Sequence, residues 1–177
     1  NYEIEMEIDN KKVGAGTQYN SVDNLVKLIK QTMRIVLSGL QGTNYPISYN
    51  EYDKTQHEYM KLLHGEDYKE SKITAKHFIG PSSKPLKLKH IAELDDNLKI
   101  PNIRNNYTVT DKADGDRCLL FINEDGKMYM INSNMDVIFT GSKTTTKELF
   151  NSLLDGEHII FDKNKKFINL YAAFDIY

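Results

Sequence analysis

The run Lys112-Ala113-Asp114-Gly115-Asp116-Arg117 contains residue types that can perform covalent chemistry. A lysine amine is a nucleophile once its proton has left, and a neighbouring cation such as Arg117 favours the neutral amine. Asp114 has the opposite influence, so the sequence leaves open which of the two prevails. The structural alternative is a surface β-turn, because lysine, aspartate and arginine are ordinary turn residues and Gly115 permits a sharp bend.

Two runs further along the chain carry acids and aromatic side chains. Leu153-Leu154-Asp155-Gly156-Glu157 places a carboxylate just before a predicted strand, and 170–177 is typical of an apolar strand that carries the pair Phe174-Asp175. Each run has a structural alternative. Asp-Gly-Glu is a common turn sequence, and an aromatic residue in a strand usually belongs to the core.

Taken in this order, the three runs resemble the covalent nucleotidyltransferase superfamily of mRNA guanylyltransferases and ATP-dependent polynucleotide ligases. The signatures of that family are Lys-x-Asp-Gly-x-Arg, then Asp-Gly-Glu, then an aromatic strand that ends in Phe-Asp. They are matched here by Lys112, Asp114, Gly115 and Arg117, by Asp155, Gly156 and Glu157, and by Phe174 and Asp175. The resemblance covers roughly residues 75–177.

The resemblance implies a reaction in two halves. Lys112 would attack the α-phosphorus of GTP, hold GMP as a lysyl phosphoramidate, and pass it to the 5′-diphosphate end of an RNA. Asp114 and Arg117 would bind the nucleotide, with Arg117 on phosphate or ribose. Glu157 would contact ribose or a metal ion, and Phe174 would stack on the base. Mg²⁺ or Mn²⁺ would neutralise phosphate charge.

The sequence departs from the family pattern in several respects. Guanylyltransferases often place an arginine in the strand after the first signature, where it contacts the ribose. The corresponding stretch here is Ile131-Asn132-Ser133-Asn134, so Asn132 or Asn134 would have to make that contact. The fourth signature, the lysine-rich fifth signature and the oligonucleotide-binding-fold domain do not occur in this sequence. We therefore expect a truncated core that lacks full activity on its own.

The N-terminal residues 2–8 alternate strictly between apolar and acidic side chains, which predicts a β-strand. Its glutamates Glu3, Glu5 and Glu7 resemble the metal-binding strand of tunnel-type RNA triphosphatases, in which glutamates hold manganese or magnesium. The structural alternative is a solvated strand face. A triphosphatase strand followed by a guanylyltransferase core is the order found in fused capping enzymes of poxvirus-like and giant DNA viruses.

Two other functions stay open at this stage. The first is that of an ATP-dependent DNA or RNA ligase that forms lysyl-AMP. The second is that of a non-catalytic module that binds a nucleotide or RNA without covalent chemistry.

Local patterns predict the elements that position these residues. Ser21 starts a helix that Gly39 ends, and Ser48 with Glu51 forms a capping-box pattern for a second helix through His64, stopped by Gly65. Strands are predicted at 107–110, 118–123, 127–132, 137–140, 158–162 and 167–177, with a short helix at 146–154. Asp125-Gly126 predicts a tight hairpin turn.

These elements predict an α+β fold with an antiparallel, ATP-grasp-like nucleotidyltransferase core. Residues 1–9 would be the last strand of a triphosphatase tunnel, 10–65 a linker and helical connector, and 66–177 the first part of the guanylyltransferase domain. The expected partners are GTP, the 5′ end of nascent mRNA, and a methyltransferase domain or subunit.

Composition restricts the remaining function classes. With 23 basic and 25 acidic residues the net charge is −2, so bulk charge gives no argument for binding a polyanion or a membrane. No apolar run is long enough to form a membrane helix. The single Cys118 excludes an internal disulfide framework and favours a reducing compartment. Together with the viral resemblance, this predicts a cytoplasmic viral factory, and the virion, as the locations.

Overall fold

Two helices precede a five-stranded antiparallel sheet in the computed structural model of the protein. The structure describes residues 3–69, 72–81, 84–93, 100–109 and 111–177. Its elements are helices α1 (Val22–Gln41) and α2 (Tyr49–His64) and strands β1 (Asp116–Ile122), β2 (Lys127–Asn132), β3 (Val137–Lys143), β4 (Ser152–Phe161) and β5 (Phe167–Ile176). The predicted α+β class with an antiparallel sheet is confirmed.

Helix α1 begins where the sequence predicts, because the Ser21 hydroxyl accepts a hydrogen bond from the Asn24 amide at 3.3 Å. It ends later than predicted. Gly39 lies inside the helix, and Gly42, with a φ of 62°, takes the left-handed conformation that closes it. Within the described part of the chain, neither helix combines the length and apolar character that crossing a membrane requires.

Helix α2 has the predicted bounds, with Ser48 as its N-cap and Gly65 after its last residue. The predicted capping box is only half present. The Glu51 carboxylate does not return to Ser48 but accepts hydrogen bonds from Lys127 Nζ at 2.6 Å and Tyr129 Oη at 2.8 Å. Partial burial raises the pKa of Glu51, but these hydrogen bonds outweigh it and leave the pKa below its ordinary value. Glu51 thus ties the start of α2 to β2.

The sheet has the order β3-β2-β1-β4-β5, so β1 is its central strand. Helix α2 packs on one face, where Tyr59 and Phe121 meet edge to face with ring centroids 6.5 Å apart. The buried core consists of Ile47, Tyr59, Met60, Leu119, Phe121, Tyr129, Ile131, Met135, Val137 and Leu153. Because α2 and the sheet share this core, the position of the helix is fixed relative to the sheet.

Two sequence-based predictions within the C-terminal half are wrong. The predicted helix over 146–154 is a short 3₁₀ turn (Lys147–Leu149) followed by the start of β4, because Leu153 is buried opposite Phe121 and this pairing outweighs local helix preference. The predicted strand over 107–110 is absent at 107–109, where Val109 is fully exposed and no strand among the described residues pairs with it. Residue 110 lies outside the described residues.

The predicted N-terminal strand is also absent from residues 3–9, and residue 2 lies outside the described residues. All strands of the described sheet come from residues 116–176, so the alternating segment has no strand partner to supply ladder hydrogen bonds. Glu3, Glu5 and Glu7 are exposed. Among the described residues no three or more His, Cys, Asp or Glu side chains are grouped to hold a metal ion. The triphosphatase role of these glutamates stays a prediction.

Candidate active site

A bidentate ion pair joins the first residues of β1 to the middle of β4. Arg117 Nε lies 3.1 Å from Asp155 Oδ1, and Arg117 Nη2 lies 2.5 Å from Asp155 Oδ2. The Asp155 carboxylate is fully buried, whereas 31% of the Arg117 side chain is exposed. The hydrogen bond to Asp155 raises the pKa of the Arg117 guanidinium. The pair therefore holds a fixed positive charge on the central strand, at the end of the sheet where β1 begins.

Two aromatic rings flank this guanidinium. Arg117 Cζ lies 5.8 Å from the ring centroid of Phe78 and 5.8 Å from that of Phe174. Phe174 lies where the β4–β5 pairing shifts between Asp155 opposite Asp175 and Gly156 opposite Ala173. Such a bulge redirects a side chain. It accounts for the Phe174 ring meeting Arg117 on the same face.

Glu157 connects β4 to the loop that carries Lys112. Its Oε1 accepts a hydrogen bond from the Gly115 amide at 3.0 Å, and Glu157 is the register partner of Arg117. At Gly115 a Cβ atom would lie 2.5 Å from the His158 carbonyl oxygen, so only glycine permits this approach. The Lys112–Arg117 run and the Asp-Gly-Glu run are therefore in direct contact, through the Gly115 amide and the Glu157 carboxylate.

Gly156 also owes its identity to close packing. A Cβ there would lie 2.6 Å from Tyr171 Cζ and 2.7 Å from the Ala172 carbonyl oxygen. The Tyr171 side chain lies over Gly156. Its hydroxyl accepts a hydrogen bond from the Leu120 amide at 3.2 Å and lies 2.9 Å from the Leu154 carbonyl oxygen. Burial raises the pKa of this phenol. The sequence predicted that the Asp-Gly-Glu run precedes a strand. This is wrong, because the run lies inside β4.

Lys112 lies on the loop before β1 with its side chain exposed. Its Nζ donates to the carbonyl oxygen of the adjacent Ala113 at 3.3 Å. Two residues lie between it and Gly115, so its Cα lies within about 11 Å of the Gly115 Cα. Asp114, on the same loop, is exposed too. The structure brings Glu157 and Phe174 to Arg117, and Lys112 precedes Arg117 on the loop before β1. The role of Lys112 as nucleophile stays a prediction.

Asn134 lies in the turn between β2 and β3. Its amide donates to Asn132 Oδ1 at 2.9 Å, and its side chain is exposed. Because Asn132 is the register partner of Cys118, this turn is at the same end of the sheet as Arg117. The ribose contact assigned to Asn134 stays a prediction.

The sequence did not predict that three further residues contribute to the site: Phe78, Pro81 and Tyr59. The Pro81 carbonyl oxygen accepts from Arg117 Nη1 at 2.5 Å, and Tyr59 holds the backbone on either side of Phe78. The run Phe78-Ile79-Gly80-Pro81 was the available signal, since an aromatic residue near Gly-Pro indicates a shaped loop. Cys118 is buried as expected for a core residue, and burial raises the pKa of its thiol to about 11.

The arrangement combines a fixed cation, an exposed aromatic ring and a nearby carboxylate at one end of the sheet. Such a set suits a ligand with a flat ring and an anionic group. Phe174 is 57% exposed, so its ring is accessible to such a ligand.

Comparisons with known proteins gave a family model and a relative that match this chain. The family model described as "mRNA capping enzyme, catalytic domain" matches residues 46–177, which include α2 and the whole sheet. A protein of Acanthamoeba polyphaga mimivirus named "Probable mRNA-capping enzyme" is 30% identical over 176 residues. That alignment covers 99% of this chain but only 12% of the viral protein.

Proposed function

The chain belongs to the family of mRNA capping enzyme catalytic domains, and from that premise we propose that it carries a guanylyltransferase centre. The proposed substrate is GTP, and the proposed acceptor is the 5′-diphosphate end of RNA. Lys112 is the proposed nucleophile. The observation that carries the proposal is the contact of the Lys112 loop with Glu157, beside an Arg117 that lies between two aromatic rings.

Each half-reaction forms one bond to the α-phosphorus and breaks another. In the first, the lone pair of Lys112 Nζ attacks the α-phosphorus, the bond to the β-phosphate oxygen breaks, and pyrophosphate leaves while the amine loses a proton to solvent. In the second, an oxygen of the RNA diphosphate attacks the same phosphorus and the P–N bond breaks. Lys112 then regains its proton, and GMP is joined to the RNA.

Arg117 suits a role in binding the nucleotide. A guanidinium has five N–H donors. Three of them, on Nε, Nη1 and Nη2, are used by Asp155 and the Pro81 carbonyl. The other two are available to a phosphate or ribose oxygen, and the fixed guanidinium loses little freedom when it binds one.

Phe174 suits the base. Stacking of a nucleobase on an aromatic ring contributes about 1–3 kcal/mol. The Phe174 ring is more than half exposed, and it lies next to the charge that would bind the sugar or phosphate.

A divalent ion fits the site only together with the nucleotide. Both Asp155 oxygens are bound by Arg117, and Glu157 Oε1 accepts from Gly115. Mg²⁺ is commonly bound by one or two carboxylates plus substrate phosphates. Glu157 is therefore the proposed protein ligand of Mg²⁺ or Mn²⁺, which would supply charge neutralisation on the phosphates.

The remaining proposals concern the other activities and partners expected of this family. We propose an associated RNA 5′-triphosphatase that uses Glu3, Glu5 and Glu7, an ATP-grasp-like core, and a methyltransferase domain or subunit as partner. A cytoplasmic viral factory is the proposed location, since the mimivirus relative is a viral protein.

The test is covalent labelling of the full-length protein with α-³²P-GTP and Mg²⁺. We expect an acid-labile, alkali-stable labelled band that Lys112→Ala removes. Lys147→Ala, at an exposed lysine of the 3₁₀ turn, is the matched control and should label normally. Labelling by ATP in place of GTP would indicate a ligase, and GTP binding without a covalent product would indicate a binding module.

A further inference from the structure

Tyr59 of helix α2 is completely buried, yet its hydroxyl contacts a segment outside the regular elements. The Tyr59 Oη donates to the His77 carbonyl oxygen at 2.8 Å and accepts from the Ile79 amide at 3.2 Å. Burial raises the pKa of this phenol to about 12. Its ring packs edge to face on Phe121 of β1, which fixes the hydroxyl relative to the sheet.

The segment that Tyr59 holds, residues 77–81, reaches the Arg117 guanidinium in two places. The Phe78 ring centroid lies 5.8 Å from Arg117 Cζ, and the Pro81 carbonyl oxygen accepts from Arg117 Nη1 at 2.5 Å. Between them, a Cβ on Gly80 would lie 2.7 Å from Arg117 Nη2. The segment therefore forms one wall of the Arg117 site at close contact.

A wall of this kind needs an anchor. Beyond the 3₁₀ turn Ala75–His77, the rest of the segment lies in no helix or strand that would fix its backbone. The two Tyr59 hydrogen bonds lie on either side of Phe78, so they set where the Phe78 ring lies. Buried hydrogen bonds to backbone groups are costly to leave unmade.

We propose that Tyr59 is a positioning residue for nucleotide binding, which it serves by holding the segment 77–81 against Arg117. The inference rests on the proposed function, because it assigns the Arg117 site to GTP. Tyr59 does not reach the ligand itself. It acts through Phe78 and Pro81, which set the direction of the two remaining Arg117 donors.

Tyr59→Phe tests this because it keeps the ring and removes both hydrogen bonds. We expect the GTP concentration for half-maximal labelling of the full-length protein to rise about tenfold, equivalent to ~1.4 kcal/mol. The labelling rate at saturating GTP should stay within about twofold of the unsubstituted protein, because binding energy recovers the site geometry.

Tyr52→Phe is the matched control. Tyr52 lies on the same helix, and its hydroxyl donates to the Met135 carbonyl oxygen at 3.3 Å, away from the segment 77–81. It should leave the GTP dependence unchanged. An unchanged GTP dependence in Tyr59→Phe, or equal changes in both variants, would overturn the proposal.

Hydrogen exchange separates this inference from the proposed function. In Tyr59→Phe, but not in Tyr52→Phe, the Ile79 amide should exchange faster. If the unsubstituted protein forms no covalent GMP, the proposed function fails whatever the variants do. If it does label but exchange at Ile79 is the same in all three proteins, the positioning role alone is wrong.

Discussion

The carboxylate of Asp155 is wholly buried beneath the guanidinium of Arg117, which is itself partly exposed. A buried carboxylate without a partner is strongly unfavourable, so this geometry ties the fold of β4 to the position of one cation on β1. The first acid of the Asp-Gly-Glu run, Asp155, therefore has the role of holding Arg117 in place. Glu157, two residues on along the same strand, contacts the Lys112 loop instead.

Asp155→Asn should destabilise the protein. The amide cannot balance the Arg117 charge, and disrupting a buried pair costs about 3–5 kcal/mol, with the lower end expected because Arg117 is partly exposed. Urea unfolding measures the change. Glu124→Gln is the control, because Glu124 is exposed and lies 3.6 Å from Lys54, so its loss should cost under about 1 kcal/mol. Equal effects of the two substitutions would contradict the assigned role of Asp155.

Gly156→Ala and Gly39→Ala should change stability in opposite directions. A Cβ at 156 would meet Tyr171 and the Ala172 carbonyl, and overpacking of this kind costs about 1–3 kcal/mol. Gly39 lies within α1 with nothing near its Cβ position, so alanine there should stabilise by about 0.5–1 kcal/mol. Thermal and urea unfolding measure both. Stabilisation by alanine at 156 would show that Tyr171 does not restrict this position.

Sequence patterns succeeded where the deciding contacts are local. Ser21, Ser48 and Gly65 bound their helices through hydrogen bonds that span three or four residues, and Gly126, with a φ of 77°, forms the predicted turn. The patterns failed at 146–154, where the register partner of Leu153 decides the structure.

The same distinction applies to the candidate site. The three runs predicted that Glu157 and Phe174 lie near Arg117, because a family pattern encodes them together, but they did not predict its contacts with Phe78 and Pro81. The contribution of Tyr59 to the segment 77–81 depends on α2 packing over β1, a tertiary contact that no local pattern specifies.

The contribution of Glu51 to stability should be present at neutral pH and lost at acidic pH. The folded-state pKa of Glu51 lies below its ordinary value of 4.5, so its ionised form stabilises the fold. That contribution is fully present above pH 4.5 and is lost as the pH falls through the folded-state pKa. Urea unfolding of Glu51→Gln should therefore show a deficit at pH 7 that shrinks with acidification. Glu66→Gln, at an exposed residue paired with Lys61, should show little deficit at any pH.

Glu5→Ala combined with Glu7→Ala should abolish RNA triphosphatase activity in the full-length protein while GMP labelling is retained. Both glutamates are exposed and outside the strands that build the Arg117 site, so their removal leaves that site intact. Phosphate release from triphosphate-ended RNA measures the first activity and α-³²P-GTP labelling the second. Retained phosphate release would remove these glutamates from the proposed metal site, and loss of both activities would indicate misfolding.

Phe174→Ala should weaken GTP binding without preventing covalent labelling at saturation. Loss of a stacking contact of about 1–3 kcal/mol corresponds to a roughly 5- to 150-fold rise in the GTP concentration for half-maximal labelling. Phe167 is the matched control, because it lies on the same strand, is 64% exposed against 57% for Phe174, and contacts Phe161 and not Arg117. Phe167→Ala should leave the GTP dependence unchanged. If both variants shift it equally, the effect belongs to β5 as a whole, and the base does not bind on the Phe174 ring.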